Sequence, residues 1–449
     1  MTQAGSIYAS EHGFKVAFCR FSREIQKALI NANDTATLMR TEDDQADMTS
    51  HDGPDTRKTR RNNAFHPARE PVRYGDGLRL EHDRVTGPIP FLNPTRAHYR
   101  HDQRPDVRYK WTSRNDRKGR HAVDIEPKQA TASTKHDTPR PTTSLRSVAR
   151  NIWRMFTYFP IWDVSFDVAF VFTIGSVIWI FNAFFVYLPL VRPGSEFANE
   201  ELYGGGITAF VGVTVFEVGS FLLVAEAVNE GRSGCFGWAV EQVLSHEEEG
   251  GERVALRPSK SHCTHHHNKQ MSVDTRQFTQ SKSGLAPQER LWIWWPSNEE
   301  LRTHYIRNLG FIASFSQLLG ATIFWVAGLT ALPGIYNRMS QTLTIIFYWT
   351  PQVLGGLGFV ISGALFMIET QSKWWKPAPR TLGWWVGAWN LVGGVGFTLC
   401  PAFGYDSRSW AQYQASLSTF WGSWAFMIGS TLQWYESLEK YPVAVDSTT

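Results

Sequence analysis

Six carboxylates sit in or at the ends of long apolar stretches, and a charge there is costly enough to imply a role. Glu217 is the most conspicuous. It lies about 12 residues into its stretch, roughly 18 Å along a helix, close to the middle of a bilayer. No apolar stretch supplies a Lys or Arg to neutralise it. Two chemistries stay open. Glu217 is protonated by burial and hydrogen-bonded to Gln317, Asn390, Gln352 or a hydroxyl, or it faces a hydrated cavity and binds a proton or cation. Gln317 and Asn390 occupy equivalent places, three residues before Gly320 and Gly393, so a shared polar centre is expected. Asp163 and Asp167 would stand at its cytoplasmic mouth.

A second set is repeated. Phe-x-[Val/Ile] followed by two small residues, then a Glu seven positions after the first small residue, occurs three times. The instances are Phe216/Gly219/Glu226, Phe359/Ser362/Glu369 and Phe426/Gly429/Glu436. A glutamate at a helix C-terminus opposes the macrodipole and calls for a cation. Lys373 and Lys440 follow four residues on, and Arg-x-Leu-Gly recurs as Arg307/Leu309/Gly310 and Arg380/Leu382/Gly383. The expectation is a cytoplasmic ion-pair collar of Glu226, Glu369 and Glu436 with Arg307 and Arg380.

All 14 histidines lie outside the apolar stretches, which excludes intramembrane bis-His haem and His-box di-iron chemistry. No P-loop and no Gly-x-Ser-x-Gly is present, so an enzyme is disfavoured and no cofactor is expected. His262, Cys263, His265, His266 and His267 could ligate zinc or copper, but their spacing matches no structural zinc module. Four scattered cysteines give no disulfide framework, and the start carries no signal-peptide pattern. A net charge of +4 is too small to indicate nucleic acid. The partner expected is the lipid bilayer.

The elements that must position these groups are six apolar stretches, 164–190, 205–227, 309–333, 342–368, 382–403 and 412–434, each long enough to cross a hydrocarbon core of about 30 Å. The first helix of each pair carries Gly-small-x-x-aromatic: Gly175/Ser176/Trp179, Gly320/Ala321/Phe324 and Gly393/Gly394/Phe397. The small residues point to close helix packing. The predicted fold class is therefore an all-α membrane protein with six transmembrane helices as three repeated αα-hairpins. Basic residues alternate from loop to loop, which places both termini in the cytoplasm. Trp292, Trp294, Trp295, Trp374 and Trp375 mark interfaces, and Ser297 with Glu300 predicts a capping box.

The domain pattern is an amphipathic segment over 1–30 and a basic, disordered cytoplasmic region over 31–150. Hairpins follow at 151–230, 291–371 and 372–437, with a flexible loop at 231–290 and a tail at 438–449.

Phe216–Ser220, Phe426–Ser430 and Phe172–Ser176 resemble the short two-helix YrhK-like membrane domain. The 150–440 region, through Trp294-Trp295-Pro296, Gly320–Trp325 and Trp374-Trp375-Lys376-Pro377, is similar to a group of fungal integral membrane proteins. The resemblance implies a multi-pass membrane fold in a plasma or vacuolar membrane and implies no activity.

Overall fold

The computed structural model describes residues 78–101, 107–125, 141–240 and 292–445. In chain order these form β1 (Leu78–Leu80), β2 (Arg96–His101), β3 (Val107–Thr112), α1 (Ser113–Arg117), β4 (Ala122–Ile125) and α2 (Leu145–Thr157). The long helices follow, α3 (Val164–Val191) and α4 (Glu201–Val228), then the short α5 (Asn298–Thr303). After them come α6 (Leu309–Thr330), α7 (Gln341–Glu369), α8 (Leu382–Gly404), α9 (Ser409–Leu438) and β5 (Val443–Val445). The molecule is mostly helical. Among the described residues, α3, α4, α6, α7 and α8 are long and apolar enough to cross a membrane. α9 is as long but more polar, because it turns Ser416, Ser418, Thr419, Ser423, Ser430 and Gln433 inward.

Local chemistry sets the helix starts. Asp163 caps α3 by accepting from the Ser165 amide at 3.0 Å, and Asn308 caps α6 by accepting from the Phe311 amide at 3.1 Å. The Ser297–Glu300 capping box forms as the spacing predicts. The six long helices close into a ring in the order α3, α4, α6, α7, α8, α9, with α9 packing back on α3. Glycines allow the close approach. A Cβ on Gly320 would meet the Gly355 carbonyl oxygen at 2.8 Å, and one on Gly355 would meet the Gly320 carbonyl oxygen at 2.6 Å.

Two expectations are corrected. The molecule is not all-α, because a five-stranded sheet in the order β1-β2-β3-β4-β5 covers one end of the ring. Residues 78–101 and 107–125, expected to be disordered, fold into that sheet and α1. The pattern explains it: Ala97, Tyr99 and Trp111 alternate with charged residues and form a small buried core with Leu80, Val85 and Tyr109. The C-terminal tail joins in, β5 pairing in parallel with β4 through Val123 and Val443. Residues 141–150 are ordered too, as the start of α2 and its lead-in. The remainder of 31–150, the segment 1–30 and the 262–267 His/Cys tract lie outside the described residues.

Candidate functional site: an axial chamber beneath an ion-paired cap

The axis of the ring is layered. Its middle is closed by six aromatic side chains, Trp179, Phe324 and Phe397 from α3, α6 and α8 and Phe216, Phe359 and Phe426 from α4, α7 and α9. Trp179 meets Phe397 edge to face at 4.8 Å and Phe216 meets Phe426 edge to face at 5.5 Å between centroids, whereas Phe324 stacks on Phe359 at 5.7 Å.

Next to this plug, towards the sheet, lies a chamber of about 30 Å³. Gln317, Ser362, Asn390 and Gln433 supply polar walls, with Phe172, Phe366 and Leu223 between them. Room for a water begins at roughly 10–15 Å³ on this measure, so the chamber is large enough to admit water.

Above it stand Glu226, Glu369 and Glu436, each at most 2 % exposed. Their cations come from α1 and the turn after it. Arg117 donates both terminal nitrogens to Glu369, at 2.8 and 2.9 Å, and Ser113 Oγ donates to the same carboxylate at 2.8 Å. Arg114 donates to Glu436 at 2.6 and 3.2 Å, and Arg120 adds a bond at 2.9 Å. Lys118 Nζ reaches Glu226 at 3.2 Å. The two-pronged arginine geometry is the strong form of this contact. Burial opposes the Arg117 charge, yet Glu369 and Glu226 outweigh it and hold the guanidinium above its usual value. Lys118 goes the other way, pulled down to about 8 by burial, with Glu226 resisting.

The collar therefore exists, but with other cations than expected. Arg307 and Arg380 are exposed. The recurring Arg-x-Leu-Gly matters here for its glycines. A Cβ on Gly310 would fall 1.7 Å from Arg117 Nη1, and one on Gly383 would fall 2.5 Å from Arg114 Nε. The glycines are the channels through which the cap arginines reach the glutamates. The signals for this were the basic run Arg114–Arg120 and the isolated Trp111. Neither declares its partner, because the pairs are separated by 252 and 322 residues.

The other candidate residues are dispersed. Gln317 and Asn390 do meet, in the chamber wall. Glu217 does not join them. It lies between α4 and α6, where Thr322 Oγ1 donates to its Oε1 at 2.8 Å and its Oε2 is enclosed without a hydrogen-bond partner. Asp163 pairs with Lys440 at 2.5 Å, and Lys440 also donates to the Lys118 carbonyl oxygen at 2.7 Å, tying the tail to the cap. Asp167 is half-buried one turn into α3. Lys373 stacks over Trp375 instead of reaching Glu369. Trp292 and Trp294 pack with Phe236 in a core beside Val164 and Leu223, whereas Trp295, Trp374 and Trp375 are exposed.

Among the described residues no group of three or more His, Cys, Asp or Glu is placed to hold a metal. Comparison with protein-family models, with curated proteins and with solved structures finds no match.

Proposed function

We propose that this chain is a six-span integral membrane protein, three hairpins closed into a ring, with a non-enzymatic structural or organising role. Both termini then lie in the cytoplasm, and a plasma or vacuolar membrane rests on the fungal resemblance. The observation that carries this reading is the cap itself: four cations bury their charge on three carboxylates at the ring's end, and six aromatics close its axis. Such an assembly holds a soluble platform rigidly on a membrane bundle.

The outward surface supports a bilayer environment. Phe181, Phe221, Leu319, Leu354 and Ile361 are among the exposed side chains of the long helices. On α2, Leu145, Ile152, Trp153 and Phe156 form an exposed stripe at helical spacing, next to Arg146, Arg150 and Arg154. That pattern suits a helix lying in the headgroup region at the capped end. A spin label at position 153 should relax faster with lipid-soluble oxygen than with a water-soluble nickel chelate. The reverse order would take α2 out of the membrane surface.

Reconstitution tests the functional reading. Vesicles carrying the full chain should pass protons and monovalent cations no faster than empty vesicles. A second reading, a small transporter or channel for protons, cations or a small solute, is favoured by one feature, the enclosed and unpartnered Glu217 Oε2. A saturable flux abolished by Glu217→Gln, with pH-dependent labelling of Glu217 by a hydrophobic carbodiimide, would establish it and overturn the structural one.

A further inference from the structure

We propose that the rim around the cap is a docking surface for anionic phospholipid headgroups, so that the capped end selects negatively charged lipid. This rests on the membrane reading above and names the lipid class that the capped end prefers. Three long helices start at that end. Asp163 at the head of α3 pairs with Lys440 beside the cap, and Gly310 and Gly383 at the heads of α6 and α8 lie against Arg117 and Arg114.

Each of these entries carries exposed cations next to exposed apolar side chains. Before α3, Arg146 and Arg150 accompany Ile152, Trp153 and Phe156 on α2. Before α6, Arg302 and Arg307 flank Ile306. Before α8, Lys376 and Arg380 follow Trp374 and Trp375. Among the described residues none of these cations pairs with a carboxylate, although Glu299 and Glu300 open α5 close by in the chain. The collar glutamates are already met by the cap, which leaves the charges of Arg307 and Arg380 facing outward.

The opposite rim is the internal comparison. Arg192 there shares its loop with Glu196, Glu200 and Glu201, Arg408 pairs with Asp406, and Arg338 is the one cation of its turn. Charge is balanced at that rim and strongly positive at the capped one. Aromatic rings settle at headgroup level, and clustered cations beside them meet the charge of anionic lipids. The sites stand at the ends of membrane-crossing helices, where headgroups are already the nearest neighbours. That proximity selects lipid over a soluble anionic partner.

The test reconstitutes the full chain into phosphatidylcholine vesicles containing a minor share of a lipid with brominated acyl chains, which quench tryptophan fluorescence on contact. Brominated phosphatidylserine should associate roughly fivefold more tightly than brominated phosphatidylcholine. The preference should shrink in about 0.5 M sodium chloride, which screens exposed charges. Arg150→Gln, Arg307→Gln and Arg380→Gln combined should remove it. Arg192→Gln with Arg338→Gln, on the opposite rim, should leave it unchanged. All five arginines are exposed, so these chains should keep the fold. Equal quenching by the two lipids would overturn the proposal and leave the membrane reading standing, as would a preference that survives the triple substitution. No quenching by either lipid would overturn both.

Discussion

Arg117 and Glu369 stand 252 residues apart in the chain and meet through two parallel hydrogen bonds of 2.8 and 2.9 Å, with the arginine side chain 2 % exposed. The guanidinium also lies over the Phe366 ring at 5.1 Å. Desolvation of both charges offsets much of their attraction, so the contact orients the cap more than it stabilises the fold.

That distinction is measurable. Arg117→Ala leaves Glu369 buried without its main partner and should cost about 3–5 kcal/mol, read as a drop in Tm and faster proteolysis within residues 78–125. Arg117→Met combined with Glu369→Leu should recover most of the loss. Equal damage from the single and double variants would mean that the pair's net attraction dominates.

Gly310 and Gly383 give a second test. Alanine at either position puts a methyl group where a cap arginine passes, and the fixed ion pair cannot swing aside freely. Each substitution should destabilise by about 1–3 kcal/mol. Gly194→Ala, where an added Cβ meets nothing within 4 Å, is the matched control and should change Tm by less than about 1 °C.

The cap should also loosen in acid through His121. Tyr109 bonds its ring at 2.7 Å, Tyr441 stacks on it, and burial helped by Lys440 pulls its pKa down to about 4. The folded state therefore refuses a proton that the unfolded chain accepts below about 6.5. This contribution is absent above pH 6.5, and stability falls as pH drops from there towards 4. The loss should be roughly 2 kcal/mol, discounted for the ring's partly exposed edge. Tm of His121→Phe should fall less over that interval than Tm of the natural chain. Parallel curves would remove His121 as the cause.

Trp179 is the largest member of the axial plug and contacts Phe216, Phe324 and Phe397. Trp179→Ala should cost about 3–5 kcal/mol by cavity formation. Trp179→Phe should cost clearly less, since a smaller void is left. Chemical denaturation of both proteins in mild detergent measures the difference.

The sequence by itself determined the apolar helices, the Ser297–Glu300 capping box of the short helix before α6 and the sites of close packing, because length, hydropathy and residue spacing are local properties. It also singled out Glu226, Glu369 and Glu436 as residues in need of cations. Only the tertiary structure decided which cations answer. Hydrophobic periodicity carries no address for a charge, and Arg114, Arg117, Lys118 and Arg120 lie in a polar stretch whose composition reads as unfolded. That stretch folds because its small Tyr99/Trp111 core is supplemented by buried ion pairs to the ring and by the β5 strand from the far end of the chain. Glu217 shows the converse. Its place inside an apolar helix was legible, but whether it faced the axis or a helix–helix groove depended on the rotation of α4 against α6, which packing alone sets.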